Sequence, residues 1–373
     1  MNKTVSIYLD LVRFLAALTV FLSHFGFTRL TGGAYSWFRE LNFGSDAVIV
    51  FFVLSGFVIA YVADTKEKDL SSYTISRFSR LYSVVLPALI LTFLLDKWGA
   101  TLDPVAYDGW WHASDSSILR FFANLFYINE LWFYGIKPST NSAFWSLGYE
   151  FWYYVLFAAA FYFKGNLRIV LITVILLITG PKIMVLFPIW LMGVGVYYFN
   201  RRHTVAEFAG WFLFLFPVFA YWLIKVFGID HQALSLTKAS LGSDFVQYKL
   251  WHSDEFVISY LYGLLIAMNF IGINAISSRI GGLLSACERT VRYWAGLTFS
   301  MYLYHYPLLQ FFNTITMYGF EKDDPVRHVL LLIIIVTLIV LLGSVTEKKK
   351  YVFRQVLEKI MPMNLLAKLT RSS

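Results

Sequence analysis

An aspartate, an arginine and a histidine stand inside an apolar stretch, YLDLVRFLAALTVFLSHFGF (Tyr8 to Phe27), that is long enough to cross a bilayer. At about 100° per residue, the step from Arg13 to His24 returns to nearly the same helix face, and Asp10 lies within about 60° of both. The three side chains therefore form one polar stripe, roughly 16 Å long from Arg13 to His24 at about 1.5 Å per residue. Ionisable groups at that depth cost several kcal/mol each against lipid, so they are expected to face a bundle interior or a wet cavity and to mark a functional path. Proton transfer is the chemistry such a stripe can do, because histidine titrates near neutral pH. The blander alternative is an Asp10–Arg13 pair at i,i+3 that only neutralises itself, which leaves His24 without a reason.

Other side chains extend the inventory. Glu150 lies about two turns into NSAFWSLGYEFWYYVLF, among Trp145, Tyr149, Trp152, Tyr153 and Tyr154. A carboxylate there must be paired or neutral, and either state suits acid/base work or the binding of a substrate hydroxyl. The aromatics by themselves read as an interfacial belt. His305 stands midway along YWAGLTFSMYLYHYPLLQFF, near Ser300 and Tyr304, and convergence of His24, Glu150 and His305 in one half of the membrane is expected. Asp46, at the mouth of GSDAVIVFFVLSGFVIAY, is either a helix-start residue or a partner for His24. In SSYTISRFSRLY, Arg77 and Arg80 at i,i+3 suit a phosphate-bearing ligand, since guanidinium forks accept phosphate oxygens bidentately; the alternative is an orientation signal for the inner leaflet. His112, His231 and His252 read as surface residues.

These residues need elements to hold them. The chain of 373 residues is 58% hydrophobic and 19% aromatic with only 14% charged residues, which excludes an ordinary soluble domain and predicts an all-α, polytopic membrane protein. Its net charge of +8 comes in short basic clusters between apolar segments, the pattern of cytoplasmic loops rather than of a nucleic-acid surface. One cysteine, Cys287, excludes an internal disulfide and a thiolate metal site, and no metal is expected. Charges within the first apolar run argue against a cleavable signal. About ten spans are predicted, at 7–27, 44–63, 81–97, 144–163, 168–182, 183–199, 209–227, 256–274, 294–313 and 328–346. Lys and Arg counts place both termini in the cytoplasm. Residues 1–346 then form the membrane domain, and 347–373, with EKKKYVFRQVLEK, a basic tail that anchors at the inner leaflet. Within the 98–143 connection, ILRFFANLFYINELWF is broken by Arg120, Asn124, Asn129 and Glu130 and reads as an interfacial or re-entrant element. Ser55 and Gly56 in the second span predict close approach of another helix.

In order and spacing, YLDLVRFLAALTVFLSHF, AVIVFFVLSGFVI, RFSRLY, WSLGYEFWYY and SMYLYHYPL resemble the acyltransferase-3 family of integral membrane O-acyltransferases over nearly the whole chain. The resemblance implies a ten-helix core, an acyl-CoA donor (usually acetyl-CoA) entering from the cytoplasm, and transfer to a hydroxyl of an extracytoplasmic or lipid-linked glycan. Modification of a polysaccharide such as lipopolysaccharide at a bacterial inner membrane follows from the same likeness. In the family pattern His24 is the essential histidine, with Arg13 its companion on the same helix; the polar stripe adds Asp10 to these candidate catalytic residues. Arg77 and Arg80, with Arg13, lie on the donor side, and Glu150 is the acid of the WSL-x-x-E signature. His305 and Asp46 fall to the acceptor or oxyanion side. Three departures stand out. The acid often found just ahead of the second-helix aromatic pair is replaced by Ile49, with Asp46 further out. Ser83 stands where a proline usually follows the third-helix motif. The extra extracytoplasmic domain of many relatives exceeds this length, so a stand-alone enzyme is expected.

Acyl transfer from a thioester to an alcohol requires a base for the hydroxyl proton, donors for the oxyanion and release of the thiolate. His24 is the candidate base, with Glu150 orienting either the imidazole or the acceptor. Direct transfer and a covalent acyl-histidine both remain open on the sequence. The roughly 16 Å from Arg13 to His24 matches the reach of an extended pantetheine arm, with Arg77 and Arg80 on the nucleotide phosphates. Two rival classes use the same residues. A proton-coupled transporter or glycan flippase would use Asp10, Arg13, His24, Glu150 and His305 as a relay, although no inverted repeat is evident. A membrane scaffold would tolerate loss of the charges in the first span. Oligomeric state and acceptor identity are not legible.

Overall fold

The computed structural model describes residues 1–108, 116–317 and 319–360. Every regular element among them is helical, and a helix stands at each of the predicted spans. They are α1 (Lys3–Phe25), α2 (Phe43–Thr65), α3 (Leu70–Leu102), α4 (Trp145–Tyr162) and α5 (Gly165–Thr179), followed by α6 (Phe187–Arg202), α7 (Glu207–Val226), α8 (Phe256–Ala275), α9 (Thr298–Thr316) and α10 (Pro325–Val345). Seven segments among the described residues are long and apolar enough to cross a membrane: α1, α2, α3, Pro181–Arg202, α7, Phe245–Ala275 and Pro325–Ile360. The chain is thus a multi-pass membrane protein. Helix α5 is apolar but shorter, and α4 and α9 are long enough but less apolar.

Local chemistry accounts for the ends. The Asn2 side chain caps α1 by accepting from Val5 N–H at 2.8 Å, and Asp69 caps α3 from Ser72 N–H at 2.8 Å. With that cap, α3 starts eleven residues before the predicted span at 81, so Arg77 and Arg80 lie inside the helix rather than at its entrance. Asn42, at φ 56°, ends the 28–42 connection in the left-handed region and turns the chain into α2.

The tightest packing joins α2 to α6. A Cβ on Gly56 would stand 1.9 Å from the Trp190 carbonyl oxygen, and one on Gly193 would stand 1.9 Å from that of Val53. The small residues thus let two backbones touch, as expected for Ser55 and Gly56, and α6 is the partner. The core also joins α1, α2, α3, α4 and α9 through Ala17, Val53, Val84, Tyr149 and Leu303, all fully buried.

The connection before α4 is not a span. After a short helix, Ser117–Leu125, the chain runs irregularly to residue 141 and is stitched down by side chains. Asn124 donates to the Ile136 carbonyl at 2.9 Å, Asn141 to the Leu303 carbonyl at 2.9 Å, and Thr140 to Asp96 at 2.8 Å. Glu130 and Lys182 pair at 2.5 Å with both side chains 1% exposed. Burial pushes the Glu130 carboxyl up to about 7, with the Lys182 ammonium pulling the other way. Beyond α10, Glu347 accepts from Ser300 N–H at 2.9 Å, and the helix Lys350–Ile360 packs along α3. The rest of the predicted tail, 361–373, lies outside the described residues, as does His112.

Candidate active site

Helices α1 and α9 bring His24 and His305 together across 281 residues of sequence, with His24 Nδ1 2.8 Å from His305 Nε2. His305 Nδ1 lies 2.8 Å from the Met301 carbonyl oxygen one turn earlier. A carbonyl oxygen only accepts, so in the neutral ring His305 Nδ1 carries the proton and Nε2 is a lone pair. That lone pair accepts from His24 Nδ1–H, which leaves His24 Nε2 as a lone pair. Two contacts therefore assign both tautomers and leave Nε2 of the half-buried His24 able to accept a proton, with the ring held by the fully buried His305.

Aromatic and cationic groups frame the pair. The His24 ring stacks on Phe27 at 5.6 Å and meets Tyr306 edge-on at 4.9 Å. The Arg39 guanidinium lies 4.0 Å and that of Arg29 4.9 Å from the centre of the Phe27 ring. Arg29 is placed by Tyr306 OH, at 3.1 Å, and by Gln310. Sequence reasoning passed over both arginines because they sit in a polar connection, where a basic residue is ordinary. Their nearness to His24 in the chain was the available signal.

A narrow cavity of about 60 Å³ lies among α1, α2, α3, α4 and α9, lined by Arg13, Arg80, Ser55, Glu150, Tyr154 and Tyr302 among others. It reaches towards the histidines through Tyr302, whose ring is 6.4 Å from that of His305 and whose hydroxyl pairs with Ser146 Oγ at 2.6 Å. Arg13 pairs with Asp10, and Asp10 also holds Arg292 at 2.8 Å. Glu150 accepts from Ser55 Oγ at 2.7 Å and from the Tyr154 hydroxyl, so it serves the cavity wall and does not touch the imidazole of His24. Arg77 and Arg80 part company. Arg77 is buried against Glu67 at 2.6 Å, whereas Arg80 faces the cavity, in electrostatic contact with Glu150 and Glu347.

Asp46 lies in the first turn of α2, where it pairs with Lys225 at 2.7 Å and accepts from Tyr221 at 2.8 Å; the partner of His24 is His305. Asp46 lines a second, wider cavity with Arg39, Trp145, His252 and Glu255. His252, expected at the surface, is instead packed flat on Trp145, with ring centres 4.4 Å apart. Among the described residues no group of three or more His, Cys, Asp or Glu side chains is placed to hold a metal ion.

Residues 6–346 match a family model described as an acyltransferase domain, Acyl_transf_3. Comparison with curated proteins and with solved structures returns no match.

Proposed function

The chain belongs to the Acyl_transf_3 family of acyltransferases, and on that premise we propose that it moves an acyl group, acetyl in our reading, from acyl-CoA on the cytoplasmic side to a hydroxyl of an extracytoplasmic or lipid-linked glycan. In this reading all ten helices cross a bacterial inner membrane and both termini are cytoplasmic. The acceptor belongs to a surface polysaccharide such as lipopolysaccharide. The observation that carries the reading is the chain from the Met301 carbonyl through His305 to His24, which leaves a bare Nε2, while the cavity lined by Arg13 and Arg80 ends at Tyr302, 6.4 Å from the His305 ring.

The reaction follows from that placement. His24 Nε2 takes the proton of the acceptor hydroxyl as its oxygen attacks the thioester carbonyl carbon. His305 holds the imidazolium by accepting from Nδ1–H, and the guanidiniums of Arg29 and Arg39 offer donors to the developing oxyanion. As the C–S bond breaks, the imidazolium returns its proton to the thiolate, so the products are an ester and a free thiol. Arg80 and Arg13 meet the donor's phosphates or thioester arm from the other end, Glu150 with Ser55 and Tyr154 shapes the passage, and Asp46 lines the acceptor side.

The test is acetyl-CoA turnover by purified protein in nanodiscs, with CoA release and labelled acetyl on the protein followed together. His24→Ala is expected to lose about 10²- to 10⁴-fold in rate while still binding acetyl-CoA. Wild-type activity in that variant would refute the assignment. Label retained on the wild-type protein would move His24 from base to nucleophile.

A further inference from the structure

Of the wider cavity's lining the scheme above uses only Asp46, on the acceptor side, and Arg39. The cavity opens on the face where α1 ends, holds about 560 Å³, and is walled by the start of α2 on one side and by Trp251 to Ser259 on the other. That volume lies within the range of small-molecule sites. Its inner wall is aromatic: His252 lies on Trp145 with planes 8° apart, and the exposed ring of Trp251 is tilted against His252 at 5.9 Å. His252 Nε2 is buried and has no hydrogen-bond partner among the described residues. An unpaired buried polar atom costs about 1–3 kcal/mol, and such atoms are rare in native structures. Asp254 and Glu255 line the same wall, and Asn42 Nδ2 holds Glu255 at 2.5 Å. Arg39 and Phe27 connect the cavity to the histidine pair, because Arg39 lines it and lies over the Phe27 ring on which His24 stacks.

We propose that this cavity is the acceptor site and that it takes an uncharged or amino sugar ring, packed against the aromatic wall with one hydroxyl paired to His252 Nε2. Aromatic rings receive the C–H face of a pyranose, and carboxylates accept from its hydroxyls, so this wall matches a polyol. Asp254, Glu255 and Glu40 outnumber Arg39 along the lining, and Asp46 is already engaged by Lys225. A uronate or phosphorylated sugar would therefore meet like charge. The assignment rests on the transferase reading for the meaning of the bound sugar, since only that reading makes it an acceptor.

Saturation-transfer NMR on the full chain in nanodiscs tests it, with methyl glucopyranoside, methyl glucosaminide and methyl glucuronide as probes. The first two are expected to bind and the glucuronide to bind at least about tenfold more weakly. His252→Ala should weaken the neutral glycoside about tenfold, and His252→Gln, which keeps a hydrogen-bonding group, should recover part of that loss. Absence of binding by the neutral and amino glycosides, equal binding of the glucuronide, or unchanged binding by His252→Ala would overturn the proposal. Acetyl-CoA binding in the same nanodiscs reports the donor side separately. Sugar binding without donor binding would sink the transferase reading and leave the sugar site standing, and the reverse would sink the sugar site alone.

Discussion

Replacing His305 with Phe is the most informative perturbation of the His24–His305 pair. The fully buried position keeps an aromatic ring of similar size between α1 and α9, while His24 Nδ1–H loses its acceptor among the described residues, the Nε2 at 2.8 Å. A buried donor left unpaired costs about 1–3 kcal/mol, and that cost falls on the rotamer and tautomer that expose Nε2 to the acceptor. At about 1.4 kcal/mol per decade, kcat is expected to fall roughly 5- to 150-fold. The KM for acetyl-CoA should hold, because the lining of the Arg13–Arg80 cavity does not include His305. Steady-state CoA release in nanodiscs measures both constants, with thermal unfolding run alongside. His305→Gln offers an amide oxygen as substitute acceptor and should recover part of the rate. A His305→Phe protein with kcat within twofold of wild type, or with KM changed and kcat intact, would refute the orienting role.

The two arginines of RFSRLY should separate by assay. Arg80→Ala is expected to weaken acetyl-CoA binding in a titration with little loss of thermal stability. Arg77→Ala leaves Glu67 buried without its partner and should cost about 3–5 kcal/mol, read as a large drop in unfolding temperature. Gly56→Ala drives a methyl to 1.9 Å from the Trp190 carbonyl, so α2 and α6 must part; a stability loss of at least about 1–3 kcal/mol is expected, and an unchanged unfolding temperature would exclude the close contact. The Glu130 carboxyl, raised to about 7 by burial, binds its proton more tightly folded than unfolded. Its contribution is therefore fully present below its ordinary value near 4.5 and lost as pH rises through about 7. Unfolding temperature should fall over that window in the wild type and change less in Glu130→Gln.

Much of the site was visible in the sequence as single residues and little of it as relations. His24 stood out because an imidazole in an apolar span is costly, and Asp10 and Arg13 because three steps of a helix place them side by side, where they do pair. Glu150 was marked by the same cost, but its partners Ser55 and Tyr154 come from the approach of α2 and from its own next turn. Arg77 and Arg80 looked equivalent at i,i+3 until Glu67 claimed one of them. His252 looked like a loop histidine because it stands in the connection between two predicted spans, whereas its neighbour in space is the Trp145 indole.

What the sequence by itself determined is what depends on local composition and period. It specified a helical membrane protein, a helix at each predicted span, the irregular connection before α4 and the residues too polar for lipid, because each follows from the cost of exposing a peptide or a charge to hydrocarbon. Tertiary structure alone decided which groups meet. The bond between His24 and His305 joins side chains 281 residues apart, and the tautomer that leaves a lone pair on His24 Nε2 depends on the Met301 carbonyl behind His305. No local pattern encodes that pairing, since it is set by which faces of α1 and α9 pack and how far along they slide.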